Sequence, residues 1–332
     1  MKLKTSFKKI ALMLIIAGIT FTGCKKYELG APGNLVPKTV MEDPSLPSIL
    51  VNNTWLHAEA YGNPADPMVV VLHGGPGNDY RPMLNCKELA LDGYYVVFYD
   101  QRGSGLSQRH SKDVYNMKIM FDDLSGVIKY YRKSPSQKVF FIGLSWGAML
   151  ATGYINANPG DIHGAIIAEP GGFTFDDVKG YVSRARKFKL FDEGLNDALY
   201  TDQIITGKQN EHEILDYKRA LSSAYAFSAG NTEGYTGPVP FWRFGAIVNS
   251  SLLEIGRKEG FNWTTNLTQY KTKVLFLYSE LSTAYGREYA QKISSAYPNV
   301  QLEQINGSGH DMFFFGWNNV HPLALNYLNS LK

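Results

Sequence analysis

Residues 139–150 read Val139-Phe140-Phe141-Ile142-Gly143-Leu144-Ser145-Trp146-Gly147-Ala148-Met149-Leu150, and this stretch decides the fold. Its opening, Val139 to Ile142, is wholly apolar, the signature of a strand buried on both faces. It runs into Gly-x-Ser-x-Gly, and apolar residues then recur at helical spacing through Asn156. A strand that becomes a helix over so few residues makes a tight, strained turn, and Gly143 and Gly147 stand where a side chain would collide. The serine is lifted above the sheet edge at the N-terminus of the next helix. There the backbone N–H of Trp146 can stabilise an oxyanion. The pentapeptide alone is a weak signal, but strand before and helix after make it specific. Ser145 is the candidate nucleophile.

Working outward, the buried-strand signature repeats at residues 68–72, 94–99, 165–168, 274–278 and 300–305. Helical patterns such as Met120 to Arg132 and Ala148 to Asn156 lie between them. Alternating strands and helices predict an α/β domain with a mostly parallel sheet covered on both faces. Ile49-Leu50-Val51 and Thr54 to Tyr61 predict a leading antiparallel pair around Asn52-Asn53. One interval breaks the rhythm. From Phe173 to Thr268 the chain is helical and aromatic-rich, and roughly 95 residues are too many for a loop. The expected organisation is a core of residues 48–172 and 269–332 with an inserted helical cap at 173–268.

Two further loops carry chemistry. His73-Gly74-Gly75-Pro76-Gly77 directly follows the Met68 to Leu72 strand, and its small residues let backbone approach a substrate closely. Gly75 N–H is the candidate second oxyanion donor, and His73 is read as orienting the loop. Gly307-Ser308-Gly309-His310-Asp311 follows the last strand. Of seven histidines, His310 has both the right position and flanking glycines, so it is the candidate general base. His57, His110, His163, His212 and His321 read as surface or loop residues.

Taken together, the residues at 73–77, Asp100-Gln101-Arg102-Gly103-Ser104-Gly105-Leu106-Ser107 and the Gly-Leu-Ser-Trp-Gly at 143–147 resemble the proline iminopeptidase family of α/β-hydrolases. The similarity covers about residues 48–172 and 270–332, and the cap shows none. The resemblance implies the α/β-hydrolase fold, with nucleophile, acid and histidine in that chain order. It also implies a cap carboxylate that meets the free amine of a peptide. Glu193, Glu211, Glu213, Glu233 and Glu254 are available, and none sits in an alignable motif. Asp100 and Arg102 are expected to pair and brace backbone near the site.

The triad acid departs from that family. Members carry Gly-x-x-Asp after the penultimate strand, whereas this chain places Ser282 there, in Ser279-Glu280-Leu281-Ser282. Two substitutes exist. Glu169 follows the strand after the nucleophile and is preferred; Glu280 lies in the usual loop, two residues early. A chain with no working acid would be a non-catalytic binding module on the same fold.

The composition agrees with a folded domain of this size. The 332 residues are 44% hydrophobic, 13% aromatic and 19% charged, and the net charge of +3 gives no footprint for nucleic acid. Lys2, Lys4, Lys8 and Lys9 precede an apolar run from Ile10 to Phe21, which is short of the ~20 residues a spanning helix needs. Thr22-Gly23-Cys24 follows, and the pattern is that of an export signal. Its end resembles a bacterial lipoprotein box, with Phe21 where Leu is usual. That implies lipidation at Cys24, residues 1–23 as signal peptide, and a membrane anchor in the cell envelope. Residues 24–47, rich in Gly and Pro, are expected to form a tether. Cys86 then has no intramolecular partner and reads as a packed thiol. No metal or organic cofactor is implied, because no His/Cys/carboxylate cluster has ligand spacing. The partner is a peptide or a small acyl compound. The two enzymatic readings are an aminopeptidase releasing N-terminal proline or a similar residue, and an esterase or lactonase whose pocket Phe241-Trp242-Arg243-Phe244 would line.

Overall fold

The computed structural model describes residues 35–185, 211–224 and 230–332, so Cys24 and Glu193 lie outside the described residues. Eight strands form one sheet: β1 (Ser48–Val51), β2 (Thr54–Tyr61), β3 (Met68–Leu72), β4 (Tyr95–Tyr99), β5 (Val139–Leu144), β6 (Gly164–Ala168), β7 (Val274–Ser279) and β8 (Val300–Ile305). Their spatial order is β1-β2-β4-β3-β5-β6-β7-β8. The first pair and the β2–β4 pair are antiparallel, and every later pairing is parallel. The leading hairpin turns through Asn52 and Asn53, which take φ of 44° and 59°. Asparagine tolerates that left-handed region better than most residues.

Every residue of β3 to β7 is buried, as their continuous apolar sequences require. Alternate side chains feed opposite layers. Val70, Leu72, Phe141, Ile167 and Phe276 enter one core, and Val69, Val71, Phe140, Ile142 and Leu275 enter the other. Each such side chain contributes about 1.5–3 kcal/mol by leaving water. The flanking helices are α1 (Met117–Tyr131), α2 (Trp146–Ala157), α6 (Gly286–Ser294) and α7 (Trp317–Asn329). Three more, α3 (Phe175–Ala185), α4 (Glu211–Ala224) and α5 (Ala246–Glu259), fall in the interval between β6 and β7. Cys86 is buried in a short helical segment, Arg81–Ala90, and burial pushes its thiol pKa up.

The strand order reverses at β3, which pairs with β4 on one side and β5 on the other. Loops leaving the C-terminal ends of strands diverge at such a switch point and open a crevice. The loop 73–77 after β3 and the turn after β5 flank that opening. The topology alone therefore brings them together.

The tether expected through residue 47 ends earlier. Val36, Thr39 and Val40 are buried, and Val40 N–H donates to Leu106 O at 2.8 Å. Thr39 N–H donates to Glu42 Oε2 at 2.7 Å, closing a turn. The Arg243 guanidinium holds both Pro37 O at 2.9 Å and Glu42 Oε2 at 3.0 Å. The Gly and Pro content of this region suggested a free chain, but two valines and a carboxylate suffice to dock residues 35–47 on the body.

Candidate active site

Ser145 stands between β5 and α2 with φ 55° and ψ −118°. A non-glycine residue held there stores roughly 1–3 kcal/mol of strain, the kind of outlier that clusters at functional sites. The flanking glycines are explained by contact. A Cβ on Gly147 would lie 1.9 Å from Leu72 O, and one on Gly143 would lie 2.6 Å from Gly147 O. The elbow can form only where both side chains are absent. Ser145 N–H donates to Ala168 O at 2.9 Å, which ties the elbow to the end of β6.

The loop 73–77 passes beside this serine. A Cβ on Gly74 would sit 3.4 Å from Ser145 Cβ, and Gly75 takes φ 129°, which suits glycine alone. His73 is fully buried, and burial lowers its pKa in spite of the Asp100 charge, so the ring is neutral. Its Nδ1 donates to Gly74 O at 2.8 Å, and its Nε2 accepts from Gln101 N–H at 3.0 Å. Gln101 also spans the two candidate oxyanion elements. Its Nε2 donates to His73 O at 3.0 Å, and its Oε1 accepts from Trp146 Nε1 at 2.8 Å. Nothing local in the sequence marks Gln101 for this, because both its partners are distant along the chain.

Those two charged residues do not pair. Asp100 binds His57 Nδ1 at 2.8 Å and the N–H groups of Tyr80 and Leu106, while Arg102 binds Asp123 at 2.7 and 2.8 Å. Each reaches a long-range partner on a different element, which adjacency in sequence could not indicate. His57, expected at the surface, is buried, with its ring stacked on Tyr80.

Glu169 is the residue immediately after β6. It is fully buried, with φ 41°, and its Oε2 lies 2.6 Å from His310 Nδ1. Its Oε1 accepts from Ser279 N–H at 2.8 Å and Ser279 Oγ at 2.6 Å. Ser279 closes β7, the strand whose following loop holds the acid in the resembled family, and nothing in its sequence context singled it out. Glu280 is exposed and its Oε2 accepts from Gly307 N–H at 2.8 Å, so its carboxylate braces a turn. Ser282 is buried, and its Oγ has no hydrogen-bond partner among the described residues.

The His310 loop is stitched to the cap. His310 N–H donates to Glu233 O at 2.9 Å, and Asp311 Oδ2 accepts from Thr236 N–H at 2.6 Å and Oγ1 at 2.8 Å. A Cβ on Gly309 would lie 1.9 Å from Gly234 O, so this glycine exists for the crossing of two backbones. Burial alone would lower the His310 pKa. The Glu169 hydrogen bond and the charges of Glu233, Glu169 and Asp311 outweigh it and push it up to about 9. Among the described cap glutamates, Glu233 is the one set beside this histidine, and it also accepts from Tyr181 Oη. Glu213 is buried and holds Leu35 N–H at 3.0 Å, and Glu254 pairs with Lys112 and Lys258 at the surface. Arg243, expected in a pocket lining, is 2% exposed and bound to Asp216 and Glu42.

A family model described as serine aminopeptidase, S33, matches residues 63–213. A proline iminopeptidase of Thermoplasma volcanium is 33% identical over 100 residues, which cover 30% of this chain and 33% of the relative. Epoxide hydrolase B of Mycobacterium tuberculosis is 34% identical over 116 residues, 34% of this chain and 32% of the relative. The chain thus aligns with about a third of the length of the curated relatives it matches. The crystal structure of a proline iminopeptidase from Mycobacterium smegmatis superposes with a TM-score of 0.58 at 15% identity, over 86% of this chain and 98% of that one. The architecture is the α/β-hydrolase fold.

Proposed function

We propose that this α/β-hydrolase is a serine hydrolase working through an acyl-enzyme, and that it removes N-terminal proline or a similar residue from peptides. The observation that carries the reading is the buried Glu169–His310 hydrogen bond, one residue on from the Ala168 carbonyl that holds the Ser145 elbow, with the charge of the cap carboxylate Glu233 acting on the same histidine.

Glu169 engages Nδ1 and so leaves Nε2 of His310 as the nitrogen for proton transfer. In the proposed reaction that nitrogen takes the Ser145 proton while Oγ attacks the acyl carbon. The negative charge on the carbonyl oxygen is met by the N–H groups of Gly75 and Trp146. The imidazolium, balanced by Glu169, then protonates the departing amine, and water releases the acyl group by the reverse path. Glu233, presented by the turn that crosses Gly309, would receive the α-ammonium of the substrate and so select a free N-terminus. Ser282 at the usual acid position would favour a non-catalytic binding module, but the Glu169 carboxylate on His310 supplies the charge that Ser282 lacks. An epoxide hydrolase reading needs a carboxylate nucleophile where this chain has Ser145. The envelope anchor at Cys24 remains part of the proposal; among the described residues no helix is long and apolar enough to cross a membrane.

The test compares proline, alanine and leucine amides with short-chain esters, in the wild type and in Glu233→Gln. Amide turnover that Glu233→Gln weakens mainly in KM supports the aminopeptidase. Ester turnover alone, indifferent to Glu233→Gln, assigns an esterase instead.

A further inference from the structure

Residues 242–249, late in the cap, grip the candidate oxyanion loop and the residues just after it. Gly245 N–H donates to Gly77 O at 2.7 Å, and Asn249 Nδ2 donates to Pro76 O at 2.6 Å. Trp242 and Arg243 N–H donate to Asp79 Oδ2 at 2.6 and 3.1 Å, and Asp79 Oδ1 accepts from Arg81 N–H at 3.0 Å. The fit admits no side chains. A Cβ on Gly77 would lie 2.5 Å from Gly245 O, and a Cβ on Gly245 would lie 2.0 Å from Gly103 O. The cap backbone is therefore wedged between two core loops. Its far side is fixed as well, because Asp216 of α4 accepts from Ala246 N–H at 2.9 Å and from Arg243 Nε at 2.7 Å.

Gly75, the proposed oxyanion donor, directly precedes Pro76. The Pro76 ring restricts φ, so fixing its carbonyl fixes the Gly75–Pro76 peptide plane. Gly75 N–H lies one residue further back, and Gly75 itself is folded so tightly onto the loop that a Cβ there would sit 2.6 Å from Gly77 N and 2.8 Å from Asn78 N. Asn249, half-buried on the first turn of α5, is the only side chain that bonds this carbonyl among the described residues. A donor aimed even modestly off line loses much of its strength, and one oxyanion donor is worth roughly 10²–10³-fold in rate. We propose that Asn249 is a positioning residue that aims Gly75 N–H at the acyl oxygen, which makes the cap a structural part of the oxyanion hole. This rests on the serine-hydrolase reading above.

The test is the labelling of Ser145 in the full chain by a fluorophosphonate, whose tetrahedral phosphoryl oxygen stands in for the oxyanion. Asn249→Asp keeps the shape and removes the donor. Its maximal labelling rate should fall about tenfold, with the concentration for half-maximal rate within about twofold. Asn249→Gln keeps a donor and should lose no more than about threefold; exposed Ser250→Ala should match the wild type. An Asn249→Asp labelling rate equal to wild type overturns the positioning role, as does a loss confined to the half-maximal concentration. Equal losses in the Asp and Gln variants overturn it too. A wild type that resists labelling overturns the serine-hydrolase reading itself, a distinct result.

Discussion

Glu169 gives one carboxylate oxygen to His310 Nδ1 at 2.6 Å and the other to both donors of Ser279. A carboxylate held this way fixes the imidazole tautomer and balances the charge it gains. Glu169→Gln should cost roughly 10⁴-fold in kcat, in line with amide replacement of a triad acid. Glu280→Gln, which touches only the Gly307 turn, should stay within about twofold. Steady-state turnover of both variants on one substrate decides the assignment, and the reverse ranking would move the acid to Glu280.

Ser279 should matter without touching substrate. Ser279→Ala removes the Oγ donor but keeps the backbone N–H, so Glu169 loses one of two fixed bonds on Oε1. A fall of about tenfold in kcat with KM held is expected, because a charge-assisted bond contributes about 1.5–3 kcal/mol. An unchanged kcat would show that the backbone donor suffices.

The pH profile follows from the His310 pKa of about 9. The base must be neutral to accept the serine proton, so kcat/KM should rise with pH and level off above a midpoint near 9. Glu233→Gln removes a negative charge that favours the imidazolium. Its midpoint should therefore lie at lower pH. Rates between about pH 6 and 10 measure both limbs, and a coincident pair of profiles would separate Glu233 from the histidine.

The elbow glycines give a stability prediction. Gly147→Ala puts a methyl group 1.9 Å from Leu72 O, so the β3 and β5 ends must part. A loss of about 3 kcal/mol or more in urea unfolding, or failure to fold, is expected. Gly160→Ala meets nothing within 4 Å and should fall within about 0.5 kcal/mol of wild type.

Localisation has an independent check. Cys24→Ala should move the full chain from the membrane pellet to the soluble fraction, since acyl chains hold a protein by about 0.8 kcal/mol per buried methylene. An unchanged distribution would argue for a signal cleaved elsewhere.

Much of the core was legible because its signals are local. Strands β3 to β7 announce themselves by unbroken apolar runs, and the Ser145 elbow needs only residues 143–147 and their flanks. The proposed acid was harder to read. Glu169 lies at the site because β6 runs between β5 and β7 and because its N–H bonds Leu277 O at 3.1 Å, a tertiary fact no motif encodes. Asp100 and Arg102 looked like a pair because they are neighbours, yet their partners His57 and Asp123 come from β2 and α1. In the cap, the glutamates looked alike in sequence, and among the four described ones the crossing of Gly234 over Gly309 sets Glu233 apart. Backbone proximity distinguished it, and composition had no means to.

The docked segment 35–47 also governs how the protein can be produced for such assays. A recombinant fragment begun at Ser48 would delete Glu42 and the Pro37 carbonyl, leaving the Arg243 guanidinium, only 2% exposed, with its Nε on Asp216 but with Nη1 stripped of both partners. That same arginine carries the backbone N–H on Asp79, so the damage would travel toward the catalytic crevice and mimic a poor enzyme. A shortened version should start upstream of Leu35, whose own N–H is already engaged by Glu213.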